Sequence, residues 1–132
     1  MAYLKPPAFQ RLLFNKLAMR FGFGGSQTLV TTGRKSGKPV SIPVVPVTVR
    51  GQKYLVSTRG EAFWVKNLRA SGAGELRAKG KVERFQATEV PIAERPPIIE
   101  AYRPVAGRVV EGYFKQLPDP ADHPVFRLDP LA

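Results

Sequence analysis

Three short segments hold the residues best suited to chemistry. The first is Gly33-Arg34-Lys35-Ser36-Gly37-Lys38-Pro39, which packs three cations and a hydroxyl around two glycines. Glycines let backbone N–H groups converge on an anion. Arginine adds a fork for phosphate oxygens, and lysine a point charge. The alternative is an ordinary solvated hairpin turn. The segment is not a Walker A loop, which needs four residues between its first glycine and Gly-Lys, then Ser or Thr. Here three residues intervene and Pro39 follows. The second segment is Ser57-Thr58-Arg59-Gly60, whose arginine either joins an anion site or faces solvent. The third is Phe63-Trp64 with Asn67 just beyond. Trp64 suits a core, or the wall of a pocket for a flat ring with the Asn67 amide as a polar handle.

Other chemistries are excluded by what the chain lacks. It contains no cysteine, so disulfides, thiolate metal sites and thiol nucleophiles are ruled out. Its single histidine, His123, cannot build a usual zinc site, and no metal is expected. His123 precedes Pro124 in a Pro/Asp-rich stretch and reads as a turn residue rather than as half of a Ser–His pair. No paired carboxylates flank the three segments. An enzyme built on them would take its hard chemistry from a bound cofactor.

The formal net charge of +11 is unevenly spread. Residues 1–60 carry ten Lys/Arg and no acid, and Glu61 is the first carboxylate. Residues 61–132 carry eleven Lys/Arg against ten acids. Such asymmetry predicts a positive field over one region and an anionic partner. Nucleic acid, an anionic membrane, and a phosphorylated or polycarboxylate small molecule would all satisfy it. Proteins that bind single strands interleave exposed aromatics with basic residues to stack bases. The 33–38 loop has no aromatic, so no nucleic acid is expected.

The elements that position these segments follow from hydrophobic spacing. Phe9, Leu12, Leu13 and Leu17 predict a helix over 6–21, begun by Pro6-Pro7 and ended by Gly22, Gly24 and Gly25. Its basic residues allow peripheral contact with an anionic membrane, or it covers a barrel mouth. Residues 28–32, 40–49 and 52–58 read as strands, with Pro43 and Pro46 confining the second to an edge or bulge. A helix follows over 61–70, then a hairpin of 74–80 and 82–90. Residues 92–103 and 105–117 read as helices separated at Pro104, and 124–128 as a last strand. Hairpins with inserted helices favour an antiparallel barrel over a βαβ sheet. The expected fold class is α+β, mainly β: a split β-barrel of about six antiparallel strands with helices packed around it. The chain reads as one domain over 1–132, with 1–25 as helix and lead-in and 26–132 as barrel. No run approaches the ~18 apolar residues of a membrane span, and no signal peptide is evident, which points to the cytosol.

Several of these stretches are familiar together. They are Leu29-Val-Thr-Thr-Gly-Arg-Lys-Ser-Gly-Lys-Pro39, Pro43-Val44-Val45, Tyr54-Leu-Val-Ser-Thr-Arg-Gly60 and Trp64-x-x-Asn67-Leu68-x-Ala70. The chain thereby resembles the deazaflavin-dependent nitroreductase family, actinobacterial and archaeal split β-barrel proteins that use coenzyme F-420. The resemblance runs from about residue 9 to 129. It implies a coenzyme with a phosphate and a polyglutamate tail, held by Arg34, Lys35, Ser36, Gly37 and Lys38. It implies that Pro43, Val44 and Val45 lie along the deazaflavin ring. Ser57, Thr58, Arg59 and Gly60 would sit beside the ring's polar edge, and Phe63, Trp64 and Asn67 on the helix that closes the site. The implied reaction is hydride donation to a quinone, enone or nitro compound. Thr58 is the candidate donor to the developing anion. Tyr113, like Tyr102, is a candidate for the C-terminal tyrosines that family members place over substrate. The family often has Pro before the tryptophan and an aromatic after it, where this chain has Phe63 and Val65. A homodimer is expected, since split barrels commonly dimerise. Flavin mononucleotide (FMN) is the alternative cofactor, and a non-catalytic carrier of F-420, flavin or lipid the alternative function.

Overall fold

The computed structural model describes residues 26–131. The helix expected over 6–21, and the membrane contact assigned to it, lie outside them.

Seven strands form one antiparallel sheet: β1 (Gln27–Thr32), β2 (Pro39–Val44), β3 (Val47–Val49), β4 (Gln52–Val56), β5 (Ala73–Ala78), β6 (Lys81–Glu89) and β7 (Val125–Pro130). Their order is β2-β1-β5-β6-β7-β4-β3. The outer strands β2 and β3 are consecutive in the chain, joined only by Val45-Pro46. One segment therefore supplies both ends of the sheet, which curls back on itself. The strand expected over 40–49 is split at this point, and six strands become seven. Pro46 cannot donate to a ladder, and Pro39 and Pro43 are tolerated because β2 is an edge. Two hairpins close through Arg50-Gly51 and Lys79-Gly80, each pair at positive φ. That backbone matches the twist of the flanking strands.

Among the described residues, three α-helices pack on the sheet: α1 (Phe63–Ser71), α2 (Arg95–Ala106) and α3 (Glu111–Gln116). Helix α1 ends at Gly72, whose left-handed backbone lets its N–H reach the Leu68 carbonyl at 2.7 Å. Pro96 and Pro97 stand in the first turn of α2, where no intrahelical N–H bond is forfeited. The break expected at Pro104 falls instead at Gly107. Pro104 stands two residues before the last residue of α2, Ala106, so the one bond it forfeits, from its own N to the Glu100 carbonyl, leaves the turns before it intact.

Two apolar clusters flank the sheet. Leu29, Leu55, Trp64, Val65, Leu68, Leu76, Phe85 and Phe126 gather beneath α1. Val47, Val56, Ile98, Ile99, Tyr102, Phe114 and Val125 gather beneath α2 and α3. Neighbours in sequence divide between them: Leu55 from Val56, Phe126 from Val125, Val44 from Val45. This is the period of two of a strand buried on both faces. Gly74 lies close under α1, where a β-carbon would come within 3.2 Å of Leu68 Cδ2. A side chain there would meet Phe85 Cζ at 2.9 Å and the Val30 carbonyl at 3.1 Å.

Candidate active site

The 33–38 loop joins β1 to β2 and is closed by its own backbone. Gly33 N donates to the Lys38 carbonyl and Gly37 N to the Gly33 carbonyl, both at 2.8 Å. Lys38 N donates to Ser36 Oγ at 3.1 Å. Glycine is needed at 33 because a β-carbon there would lie 2.6 Å from that same Ser36 Oγ. Arg34 N donates across to Asn67 Oδ1 on α1 at 3.2 Å. Within the described residues, this leaves the Lys35 and Ser36 N–H groups without acceptors. The nest suggested by the glycines is thus a two-donor one, ringed by Arg34, Lys35 and Lys38.

The structure brings the first and third segments together. Asn67 Oδ1 also accepts from Arg34 Nη1 at 3.3 Å, and its Nδ2 donates to Thr31 Oγ1 at 3.2 Å. The Arg34 guanidinium lies over the Phe63 ring, 5.6 Å from its centroid, while Phe63 itself is 69% exposed. Asn67 is buried, so its amide holds the basic loop against α1 and does not stand free as a handle. Trp64 is buried too, 6.0 Å from the Phe126 ring, and belongs to the core.

The second segment leaves the end of β4 between the two apolar clusters, and it is held from several sides. Ser57 is buried; its N donates to the Pro124 carbonyl at 2.9 Å and its Oγ to the Gly60 carbonyl at 2.5 Å. Its own carbonyl faces His123 Nδ1 at 2.8 Å. The other ring nitrogen of His123 faces the Leu117 carbonyl at 2.5 Å, and the ring packs on Phe114. His123 lies in the bend before β7, as its Pro/Asp-rich setting suggests, and is there a buried strut. The strut was missed because the local Pro/Asp chemistry carries no sign of a partner 66 residues away. Thr58 is half-exposed, and its Oγ1 lies 2.8 Å from the Tyr102 hydroxyl on α2. Burial pushes the Tyr102 phenol up, more than Thr58 and the nearby Arg59 charge lower it. Tyr102, rather than Tyr113, meets this segment. Tyr113 is half-buried on α3, and its hydroxyl makes no hydrogen bond among the described residues. Pro43 and Val44 lie on β2, with Val45 just after it, all half-buried along the curl of the sheet.

Charge pairing separates this region from the rest. Of the cations in residues 26–60, only Lys53 has a carboxylate partner, Glu83 at 3.3 Å. Arg34, Lys35, Lys38 and Arg59 have none among the described residues, and residues 1–25 contain no acid. Beyond Gly60 the pattern reverses. A cavity of about 370 Å³ is lined by Glu61, Arg69, Glu89 and Arg95, which pair with one another. Arg69 bridges Glu61 and Glu89 at 2.8 Å each, and its bond holds the Glu61 carboxyl below the usual range. Arg95 is buried and also donates to the Val90 carbonyl. These charges satisfy each other and tie α1 and α2 to the 118–124 loop. Among the described residues no helix is long and apolar enough to cross a membrane, and no cluster could hold a metal ion.

Comparison with known proteins agrees with this geometry. An F420-H2 dependent reductase structure is similar at 27% identity, covering 80% of this chain and 94% of that one, with a TM-score of 0.55. A structure described as a domain-swapped dimer is similar at 26% identity over 80% of each chain, with a TM-score of 0.56. The heme storage protein HutZ of Vibrio cholerae shares the fold at 15% identity over 84% of each chain, with a TM-score of 0.58. The barrel is thus the split β-barrel. No curated protein matches the chain significantly. Residues 8–114 match the family model of the F420H(2)-dependent quinone reductases, and the chain belongs to that family of F-420-dependent oxidoreductases.

Proposed function

We propose that the chain transfers a hydride from reduced F-420 to an electron-poor acceptor of the quinone, enone or nitro class. The observation that carries the binding half is the set of unpaired cations, Arg34, Lys35, Lys38 and Arg59, in a region without acids. They suit a ligand with a phosphate and a carboxylate-rich tail. Lys35 and Lys38, with the free N–H groups of Lys35 and Ser36, would take the phosphate and tail, with Gly37 shaping the turn. Arg34 would serve from its perch over Phe63. Pro43, Val44 and Val45 would flank the ring, with Ser57, Thr58, Arg59 and Gly60 at its polar edge. Trp64 and Asn67 would support the site from beneath.

When bound, the reduced deazaflavin supplies the hydride. The chain's own contribution is to orient, to exclude water and to stabilise negative charge. Arg59 provides a fixed positive charge and Thr58 a hydroxyl donor on one short segment. A cytosolic homodimer is the proposed state, in keeping with the relative described as a domain-swapped dimer.

The test is a fluorescence titration with oxidised F-420 and, separately, with FMN. Saturable binding of F-420 alone, at micromolar concentration or below, is expected. Preference for FMN would keep the barrel and change the cofactor. Binding of neither would refute the reading.

A further inference from the structure

We propose that Tyr102 is a positioning residue that fixes the Thr58 hydroxyl so that its proton points out of the protein toward a bound ligand. The inference rests on the coenzyme reading above and extends it to a residue buried behind the site. The two oxygens lie 2.8 Å apart, and either could donate by distance alone. Hydrogen-bond counting decides the direction. Tyr102 is 5% exposed, and Thr58 is its only side-chain partner among the described residues. Were Thr58 the donor, the phenol proton would be buried without an acceptor, which is costly. Tyr102 therefore donates to Thr58 Oγ1. A threonine hydroxyl has one proton, and this arrangement leaves that proton free to donate elsewhere from a half-exposed residue.

The surroundings keep the pair in this state. Tyr102 packs among Ile98, Ile99, Val56 and Val125, and edge-on to Phe114 at 6.4 Å. Among the described residues neither hydroxyl bonds to a carboxylate. The Arg59 charge lies near enough to act on the phenol, and burial keeps that phenol protonated. The result is a donor already aimed before any ligand arrives, next to a fixed positive charge. Such preorganisation is what stabilises charge that develops during a reaction.

Five proteins test this: wild type, Tyr102→Phe, Thr58→Val, the double variant and Thr58→Ser. Turnover is read with reduced F-420 and a soluble benzoquinone, and affinity with oxidised F-420. The Thr58 χ1 rotamer is read without ligand, from three-bond NMR couplings. Tyr102→Phe should lower kcat about tenfold while leaving the Kd for oxidised F-420 within about twofold. Adding it to Thr58→Val should cost little more, because the tyrosine acts through the threonine. Thr58→Ser, which keeps the hydroxyl, should retain turnover. Thr58 should hold one χ1 rotamer in wild type and average over several in Tyr102→Phe. Undiminished turnover in Tyr102→Phe would overturn the proposal. So would an equal loss in both backgrounds, or an averaged rotamer in wild type. If wild type binds no F-420, the coenzyme reading fails by itself, and the couplings still decide whether Tyr102 fixes Thr58.

Discussion

Asn67→Leu probes how the basic loop is held. The variant keeps the size of the side chain and removes three bonds, from Arg34 N, from Arg34 Nη1 and to Thr31 Oγ1. Their costs differ. Thr31 is 3% exposed, so its hydroxyl is left without a partner, at about 1–2 kcal/mol. The Arg34 N–H sits in an exposed residue and loses about 1 kcal/mol, while its guanidinium turns to water at almost no cost. Burying a leucine returns roughly 1 kcal/mol. The net loss is about 1–2 kcal/mol, which for a domain of this size lowers Tm by roughly 3–12 °C. Binding should suffer separately. A loop no longer pinned to α1 must be ordered by the ligand, and Kd for F-420 should rise about tenfold. The number of cations is unchanged, so the loss should persist at every salt concentration. Thermal unfolding and fluorescence titration across a salt series measure both. A Tm within about 2 °C of wild type together with an unchanged Kd would refute the positioning role.

The other predictions concern charge, packing and pH. Lys35→Ala with Lys38→Ala removes two exposed charges, each worth about 0.8 kcal/mol at ~5 Å in water. Kd should rise about tenfold at low salt, and the difference should vanish near ~1 M, where the screening length is about 3 Å. Trp64→Ala should cost about 3–5 kcal/mol of stability, because the ring is core packing. Weakened coenzyme binding at an unaltered Tm would make it a pocket wall instead. The Glu61 carboxyl is held below its ordinary value of 4.5, first by its bond to Arg69. Its stabilising effect is therefore complete above that ordinary value and lost as pH falls through the folded one. Glu61→Gln should flatten the fall of Tm between pH 7 and about 3, and an unchanged slope would show that the pair contributes nothing.

Much of the fold was legible because local rules and tertiary structure agree. A β-branched run gave β1, the Arg50-Gly51 turn gave β4, and glycine after Ala70-Ser71 gave the end of α1. The prolines of 40–49 gave an edge, although spacing could not say that one segment forms both edges. Pro104 misled, since the single bond it forfeits near the C-terminus does not stop α2, which runs on to Ala106. In the site, the cations of the 33–38 loop were legible from charge alone. Their lock onto Asn67 was not, because an asparagine on a helix reads the same whether its amide is free or engaged. Tyr102 and His123 act through partners 44 and 66 residues distant, which no local pattern records.

The order in which the molecule acquires its site follows from how β4 is paired. Lys53 to Val56 bond to Leu128 through Val125, about two thirds of the described length away. Ser57, at the head of the second segment, is anchored to Pro124 and His123. Contacts so distant in sequence are slow to form, because a long loop must close before they reward it. The basic loop is more local, since β1 and β2 form a hairpin around it. During synthesis, the chain therefore carries its anion-binding loop well before the segment that bears Thr58 and Arg59 is fixed. A nascent or C-terminally shortened chain has the charge to attract a ligand but no fixed place for its reactive end. Competence arrives in one step, when the last strand docks.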